Sequence, residues 1–288
     1  KISILMPVFN CEDYILESVK SVINNSFRNF EIIIINDGST DSSLDLIKSV
    51  KDDRIKIFNK INSGLIETLN YGIKKCDSEI IMRMDADDII DLHKINKQLK
   101  VFISTDSILL GTQGYIIDKK GKVIGNINLP LNNNEIKRAL NSISPSFIHP
   151  SIMFYKDALL KLGGYNKFFK HAEDYEMFMR IGKIGKLSNI KDRLIYLRKH
   201  DNNISHQNAN EQIENTLIAK QFYNSNSKNK ISEKNYLIYK KKIKKSFLKK
   251  NYVKIHAKIV KKEFLDIKSN LLFTLLLKLF RRILKRII

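Results

Sequence analysis

Short apolar runs alternate with helical patterns through the first hundred residues, and this alternation limits the fold more than any other feature. Four of the runs have the length of strands, at residues 2–6, 30–35, 55–58 and 79–84. The run at 30–35 is apolar at nearly every position, as expected of a parallel strand that is buried on both faces. The sequence therefore predicts an α/β fold, with a Rossmann-like, mostly parallel sheet and flanking helices.

Polar segments follow three of the predicted strands, at residues 7–10, 36–41 and 85–88. In open α/β sheets, ligands bind in the crevice outside the carboxyl ends of the strands. The three segments are therefore expected to converge on one crevice. Within the second segment, Gly38 suits a tight turn between strand and helix. Asp37 is a candidate for nucleobase recognition, because a carboxylate fixed at a strand end can accept hydrogen bonds from a base.

Asp85, Asp87 and Asp88 place three carboxylates within four residues at the end of the fourth predicted strand. Such carboxylates repel one another unless a cation lies among them, and oxygen ligands of this kind suit Mg²⁺ or Mn²⁺. We expect Asp87 to be the direct ligand and Asp85 to face the ribose or support the metal site. Asp88 is expected to assist or to cap the next helix. The alternative is a solvated turn whose carboxylates only cap a helix.

Two acidic residues and two histidines farther along the chain are further candidates. Glu173 and Asp174 begin a predicted helix, where acids can simply offset the helix dipole. They can also supply a general base, for which Asp174 is the stronger candidate. His149 and His200 are weaker candidates, because a lone histidine is more often structural. His200 follows Arg198 at the end of a predicted strand, from which it could reach a metal or a diphosphate.

The pattern beyond residue 100 is less regular. Strands are predicted at residues 109–118, 122–128 and 194–198, a strand interrupted by Pro150 at 147–154, and helices at 134–140 and 173–181. The chain carries no GxxxxGK[ST], GxGxxG, GxSxG or HExxH sequence. P-loop kinases, dinucleotide oxidoreductases, serine hydrolases and zincins are therefore disfavoured. A magnesium phosphotransferase with an aspartate nucleophile is also disfavoured, because that class carries its DxD sequence after the first strand.

The positive charge of the chain is concentrated near its carboxyl end. The net charge is +21, and residues 228–288 contain 20 Lys and Arg against 3 acidic residues. Five cations between 278 and 286 follow a helical spacing among aliphatic residues, which predicts an amphipathic helix at about 271–288 lying on an anionic membrane surface. The longest uncharged stretch there is shorter than the roughly 20 apolar residues of a membrane span. Nucleic-acid binding would leave the aspartates unexplained, so no nucleic-acid partner is expected.

The first residues run directly into a strand pattern, so no signal peptide is expected. Cys11 and Cys76 show no metal-ligand spacing and are expected to be reduced thiols in the cytosol. The sequence therefore predicts a cytoplasmic location.

Several motifs occur in a characteristic order along residues 1–205. They are MPVFN at 6–10, FEIIIINDGSTD at 30–41, NSG at 62–64, MDADD at 84–88, HPS at 149–151, GGY at 163–165, EDYE at 173–176 and YLRKH at 196–200. In these motifs the chain resembles the family 2 glycosyltransferases, which have the GT-A fold. The resemblance is specific for the family and does not identify the sugar.

The resemblance implies inverting transfer of a sugar from a nucleotide sugar, usually UDP-linked, with Mn²⁺ or Mg²⁺ as cofactor. It implies that Asp87 holds the metal on the diphosphate and that Asp174 is the catalytic base. His200, from its position at a strand end, is a second candidate ligand, and Glu173 is the second candidate for the base. The expected nucleotide-binding residues are Pro7, Val8, Asn10, Asp37, Gly64, Arg83, Asp85 and Ala86. Weaker candidates for acceptor or diphosphate contacts are Asp88, His149 and Arg198.

The resemblance also implies a division of the chain. Residues 1–205 are expected to form the catalytic domain, with nucleotide binding in 1–100 and acceptor binding in 101–205, and residues 206–288 to form a basic helical extension. No QxxRW sequence is present, so a processive synthase is not expected. Bacterial relatives of this kind commonly build O-antigen or capsule units, which implies a saccharide acceptor linked to undecaprenyl diphosphate and peripheral attachment to the inner face of a bacterial inner membrane.

Overall fold

One mixed sheet of nine strands organises the described part of the chain. The computed structural model describes residues 1–200, 209–224 and 230–248. The strands are β1 Ile2–Val8, β2 Phe30–Asn36, β3 Ile55–Asn59, β4 Ile80–Arg83, β5 Ile89–Ile90, β6 Ser107–Ile117, β7 Val123–Ile127, β8 Met153–Tyr155 and β9 Lys186–Arg198. The helices are α1 Ile15–Ile23, α2 Ser43–Ser49, α3 Leu65–Lys75, α4 Lys94–Ser104, α5 Asn133–Ser142, α6 Lys156–Lys161, α7 Glu173–Ile181, α8 Ala209–Asn224 and α9 Glu233–Leu248.

The strand order is β3-β2-β1-β4-β8-β6-β9-β5, with β7 paired to β6 outside this path. The four strands from β3 to β4 are parallel, as the strand and helix alternation predicts. Strand β8 is antiparallel to both β4 and β6, whereas β9 is parallel to β6. The predicted α/β fold is therefore confirmed, with its parallel half in the first hundred residues and a mixed half beyond.

Strands β1 and β2, at the centre of the parallel half, are buried, whereas β3 at its edge is largely half-buried. Every residue of β1 and β2 is buried, and the apolar face of α1 (Ile15, Val19 and Val22) packs into the same core. Sheets covered on both faces need such continuous apolar strands. Because β1, β2 and β4 are parallel, their carboxyl ends lie at one edge of the sheet. The three polar segments follow the strands at that edge.

The strand predicted at 147–154, with its interruption by Pro150, forms only after the interruption. A 3₁₀ turn covers His149–Ser151, and only Met153–Tyr155 forms a strand. Pro150 explains the difference, because proline fixes its own backbone angle and has no N–H for a strand partner. Strand β9 is also longer than the predicted 194–198, whereas α7 coincides with the predicted helix at 173–181.

The chain divides into two compact units, residues 1–231 and 232–288. The described part of the second unit contains α9, which carries six lysines within Glu233–Leu248. The amphipathic helix predicted at about 271–288 lies outside the described residues. Among the helices of residues 1–200, 209–224 and 230–248, none is long and apolar enough to cross a bilayer.

Candidate active site

The segment after β4 brings three carboxylates together. Ligand oxygens of Asp85, Asp87 and Asp88 all lie within 4.8 Å of one another. Asp88 is buried, whereas Asp85 and Asp87 are half-buried. Three hard oxygen donors at this separation fit a divalent cation such as Mg²⁺ or Mn²⁺. The predicted convergence of these carboxylates is thus present.

Arg83, the last residue of β4, is the buried cation of the site. Its guanidinium forms a two-point ion pair with Asp85, including a bond of 2.5 Å from Nη1 to Oδ2. Burial raises the pKa of Asp85 to about 6; Arg83 acts against this rise, and the charge of Asp87 adds to it. The side chain of Arg83 is only 3% exposed. Arg83, expected among the nucleotide-binding residues, is therefore placed beneath the carboxylates, where it offsets their mutual repulsion.

Asp87 and His200 come together from opposite ends of the domain sequence. The Nε2 atom of His200 lies 2.8 Å from Oδ2 of Asp87, and the ring of Tyr14 packs against the imidazole at a centroid separation of 4.9 Å. His200 follows the end of β9, and Asp87 follows the end of β4. The structure therefore places both predicted metal ligands at one point, beside the other two aspartates.

Asp88 and Arg198 have structural contacts. The carboxylate of Asp88 accepts a 2.9 Å bond from the backbone N–H of Arg198, and burial, followed by the charges of Asp87 and Asp85, raises its pKa well above the usual range. Of the two roles expected for Asp88, capping of the next helix is excluded, because α4 begins only at Lys94, after His93, and assistance to the metal site stays a prediction.

The Arg198 guanidinium ties three segments together. Nε donates to the carbonyl of Asp87 at 2.9 Å, Nη1 donates to the carbonyl of Lys119 at 3.1 Å, and Nη2 bonds Glu17 at 2.5 Å. Its side chain is 1% exposed. These contacts make Arg198 a positioning residue, and they give no support to its expected contact with acceptor or diphosphate.

Asp37 shapes the loop that follows β3. Its carboxylate accepts 2.9 Å bonds from the backbone N–H groups of Ser63 and Gly64, and Lys60 pairs with it. Gly64 precedes α3 with φ +87°, and a Cβ atom there would meet no atom within 4 Å. Sequence reasoning predicts only a ligand role for Asp37, whereas the structure shows that its carboxylate also holds this loop. Base recognition by Asp37 stays a prediction.

The residues after β1 lie against the segment after β2. Asn10 has a left-handed backbone with φ +49°, which asparagine tolerates better than most residues. Its Oδ1 accepts a 2.8 Å bond from the N–H of Thr40, and its own N–H donates to Ser39. The carbonyl of Val8 accepts from Asp37 N–H at 2.8 Å. Pro7 is buried near the end of β1, and Ala86 is buried in the segment that follows β4.

The two acids that begin α7 differ in their surroundings. Glu173 is buried, and burial followed by repulsion from Asp174 raises its pKa to about 8. Burial also raises the pKa of Asp174, but the N–H of Tyr175, 2.7 Å from Oδ1, and the charge of Arg83 act against that rise. The charge of Asp174 in turn adds to the raised pKa of Asp85. Asp174 therefore acts electrostatically on the same cluster that the metal candidates form.

His149 is a buried partner of Tyr165. Its Nε2 lies 2.8 Å from the Tyr165 hydroxyl, and burial, followed by the charge of Arg83, holds its pKa well below the usual range. The imidazole is therefore neutral at pH 7. Asn70 fixes Tyr165 in turn, through bonds to both its backbone N–H and its carbonyl. His149 supports the wall of the site through these contacts, and a direct acceptor contact stays a prediction.

A buried ion pair within α7 helps to fix the helix against the preceding segment. Glu176 and Arg180 are both fully buried and bond at 2.8 Å, and Arg180 also donates to the carbonyl of Gly164 at 2.7 Å. Tyr223 of α8 donates its hydroxyl to Glu176 at 2.5 Å, and Asn215 of α8 donates to the carbonyl of Lys170 at 2.8 Å. The helix that carries Asp174 is thus positioned partly by residues beyond 205.

Three residues that position the site were missed by sequence reasoning. Lys60 pairs with Asp37, and Lys94 and Gln98 of α4 both donate to the carbonyl of Ser151, at 3.2 and 2.8 Å. Lys94 is completely buried. No sequence signal marks it, because a lysine on a helix is usually solvated and its partners here are a backbone carbonyl and an amide.

Comparison with known proteins agrees with this geometry. The model of the glycosyl transferase family 2 matches residues 3–163, more than half of the chain. The O-antigen biosynthesis glycosyltransferase WbnJ of Escherichia coli is 34% identical over 185 residues, which cover 62% of this chain and 71% of that protein. The chondroitin synthase of Pasteurella multocida is 28% identical over 82% of this chain but only 24% of its own length.

Solved structures show the same fold. S. aureus TarS residues 1–349, solved with UDP-GlcNAc, superposes with a TM-score of 0.64 over 92% of this chain and 72% of that chain, at 19% identity. The mannosyltransferase PcManGT of Pyrobaculum calidifontis, solved with GDP-Man and Mn²⁺, gives 0.59 over 90% and 73%, at 13% identity. With the GT-A fold and the family match together, this chain belongs to glycosyl transferase family 2.

Proposed function

We propose that the chain is an inverting, non-processive glycosyltransferase that moves a sugar from a UDP-sugar to a saccharide acceptor with the help of Mn²⁺ or Mg²⁺. One observation carries the proposal. The carboxylate oxygens of Asp85, Asp87 and Asp88 lie within 4.8 Å of one another, Asp85 is paired with the buried Arg83, and the charge of Asp174 on α7 adds to the raised pKa of Asp85. Two separate carboxylate sites, one for the leaving diphosphate and one for the acceptor, are what this reaction needs.

The donor site is proposed at the carboxyl ends of β1, β2 and β4. The loop held by Asp37 and the segment held by Asn10 lie at two of these ends. A UDP-sugar is the favoured donor because TarS, which shares the fold, was solved with UDP-GlcNAc. Pro7, Val8, Gly64 and Ala86, together with these residues, remain the proposed nucleotide contacts.

The cation is proposed to bind Asp87 and His200, with Asp85 and Asp88 completing the negative surface. These donors fit Mn²⁺, which accepts both carboxylate oxygen and imidazole nitrogen, and a cation would remove the repulsion among the three acids. A divalent ion there would stabilise the negative charge that develops on the leaving diphosphate. The mannosyltransferase PcManGT, solved with Mn²⁺, lends support through its shared fold.

Asp174 is proposed as the base that takes the proton of the acceptor hydroxyl. Glu173, with a pKa of about 8, is mostly protonated at pH 7 and cannot accept a proton in that state. Burial raises the pKa of Asp174 as well, and the N–H of Tyr175 and the charge of Arg83 act against that rise. The deprotonated hydroxyl then attacks the sugar on the face opposite the diphosphate, which inverts the anomeric configuration.

The acceptor is proposed to be linked to undecaprenyl diphosphate, and the product to be a unit of a surface polysaccharide such as O-antigen or capsule. The likeness to an O-antigen glycosyltransferase over 71% of that protein's length supports this class of acceptor. We place the enzyme on the cytoplasmic face of the inner membrane, with the basic residues 228–288 facing anionic lipid. The 1–205 catalytic division, with its nucleotide and acceptor halves, remains part of this proposal.

A transfer assay with a panel of UDP-sugars and Mn²⁺ tests the function. We expect Asp87→Ala to abolish metal-dependent activity. We expect Asp174→Asn to abolish transfer while UDP binding, measured by calorimetry, stays near the wild-type value. Asp192→Asn is the matched control, because this aspartate is 47% exposed and pairs only with Lys97 in the ion pairs described. Full transfer by the Asp174 variant would remove it as the base, and inactivity of the wild type with every UDP-sugar would refute the donor class.

A further inference from the structure

The turn between β6 and β7 combines exposed lysines with exposed aliphatic residues. We call residues 118–124 the hairpin tip. Its lysines, at positions 119, 120 and 122, are exposed, and so are Val123 and Ile124, at 46% and 52%. Val123 and Ile124 begin β7, where successive side chains point to opposite faces of the strand, so each face of the turn carries one exposed aliphatic residue beside the cations. The hairpin tip therefore has the chemistry of a contact surface.

The hairpin tip is held in one conformation by its single acidic residue. Oδ1 of Asp118 accepts bonds from the backbone N–H groups of Lys120 and Lys122, at 2.9 and 3.0 Å. Gly121 has φ +84° and donates to the carbonyl of Asp118 at 3.0 Å. Since the carboxylate is turned toward the backbone, the exposed surface of the tip is cationic and apolar. A preformed surface loses little entropy when it binds.

The hairpin tip is joined directly to the candidate active site. One guanidinium, that of Arg198, bonds the carbonyls of Asp118 and Lys119 at 3.3 and 3.1 Å and the carbonyl of Asp87 at 2.9 Å. The same group pairs with Glu17, so that acidic neighbour of the tip is offset by a buried cation. A surface that binds the hairpin tip would therefore lie beside the metal cluster.

We propose that the hairpin tip docks on an anionic lipid bilayer, with its lysines on the headgroups and Val123 and Ile124 in the interface. Lysine near anionic lipid is attractive, and aliphatic side chains gain from leaving water at the acyl boundary. A nucleic acid would satisfy the lysines but leave both aliphatic residues in water. The proposal rests on the proposed function in one respect, because an enzyme with a lipid-linked acceptor must work at a membrane. The docking surface itself is argued from the contacts and exposure of the hairpin tip alone.

The chain contains no tryptophan, so one introduced residue reports its own surroundings. The probe is full-length Ile124→Trp, mixed with phosphatidylglycerol vesicles whose acyl chains are brominated. The matched control is Ile184→Trp, 45% exposed and placed just before β9. Strand β9 runs parallel to β6 from Lys186, beside Ser107, to Arg198, beside Ile117 at the tip. The control therefore lies at the opposite end of the same strand pair.

We expect the emission of Ile124→Trp to shift to the blue and to be quenched, and that of Ile184→Trp to stay unchanged. Adding Lys120→Gln and Lys122→Gln to the reporter chain should weaken vesicle affinity about fivefold per lysine removed. If the chain sediments with the vesicles but Trp at 124 is not quenched, another part of the protein binds lipid and the proposal falls. Equal quenching with phosphatidylcholine vesicles, or equal quenching at 184, would also overturn it.

The proposed function is tested separately in the same preparations. Hydrolysis or transfer of UDP-sugar without vesicles reports catalysis, and quenching reports docking. An inactive chain whose Trp at 124 is quenched would refute the enzyme and support the lipid contact. An active chain that binds vesicles but whose Trp at 124 shows no emission shift would support the enzyme and refute the lipid contact.

Discussion

Replacing Arg83 with methionine removes the buried cation beneath the aspartates and keeps most of the side-chain volume. Arg83 is 3% exposed and pairs with Asp85, whose side chain is 31% exposed. Its charge also favours the ionised forms of Asp88, Glu173 and Asp174. The substitution therefore leaves several partly buried carboxylates without their common partner.

The expected loss of stability is about 3 kcal/mol. Removing one partner of a buried ion pair typically costs about 3–5 kcal/mol, and the partial exposure of Asp85 places this pair at the lower end. The loss depends on pH with a defined sign. Without Arg83, the pKa of Asp85 rises further above its present value of about 6, so the folded variant binds more protons than the wild type. Its deficit is therefore largest near pH 8 and shrinks toward pH 5.

Urea unfolding of the wild type, Arg83→Met, Asp85→Asn and the double variant at pH 5 and pH 8 measures these quantities. The double variant is expected to lose less stability than the sum of the two single losses, because the Asp85 carboxylate that Arg83→Met leaves unpaired is then absent. A deficit below about 1 kcal/mol at pH 8, or one that grows as the pH falls, would refute the role of Arg83 as the common cation of the site.

Three further substitutions test buried charges elsewhere. Lys94, with a pKa lowered by burial to about 7 from 10.5, makes the wild type gain stability from pH 7 to 10.5, and Lys94→Met is expected to lose that gain in urea midpoints. Burial raises the pKa of Glu173 from 4.5 to about 8, so the wild type loses stability as the pH rises from 4.5 to 8. Thermal melts of Glu173→Gln should show a smaller loss across the same pH window. Arg180→Met strands the carboxylate of Glu176 and should cost about 3–5 kcal/mol in urea unfolding, whereas exposed Arg138→Met should cost less than about 0.5 kcal/mol.

The parallel half of the fold was predictable because burial on both faces leaves a direct record in the sequence. Residues 30–35 are apolar almost throughout, and the structure extends this strand by one residue to Asn36. Helix α7 was predictable from its acidic start and apolar spacing. By contrast, β5 has only two residues and leaves no period to detect, and α4 buries Lys94 and Gln98, which read as solvated positions.

The candidate site was predictable where it depends on charge. Three aspartates after an apolar strand require a partner, so the cluster at Asp85, Asp87 and Asp88 was found without coordinates. The structural role of Arg198 was not, because its guanidinium bonds mainly to backbone carbonyls, and a carbonyl carries no sequence identity. The same limit applies to Asp37, whose two backbone donors at Ser63 and Gly64 depend only on the course of the loop.

The contacts of α8 determine where a shortened enzyme can end. A protein stopped at residue 205 would lack Asn215 and Tyr223, and the buried carboxylate of Glu176 would lose its hydroxyl donor. Leaving a buried hydrogen-bond acceptor without its donor costs about 1–3 kcal/mol of folding free energy. The loss would destabilise α7, the helix that carries Asp174. Residues 1–231 form one compact unit, so a recombinant fragment that ends at residue 231 keeps these contacts, and one that ends at residue 205 is expected to be less stable.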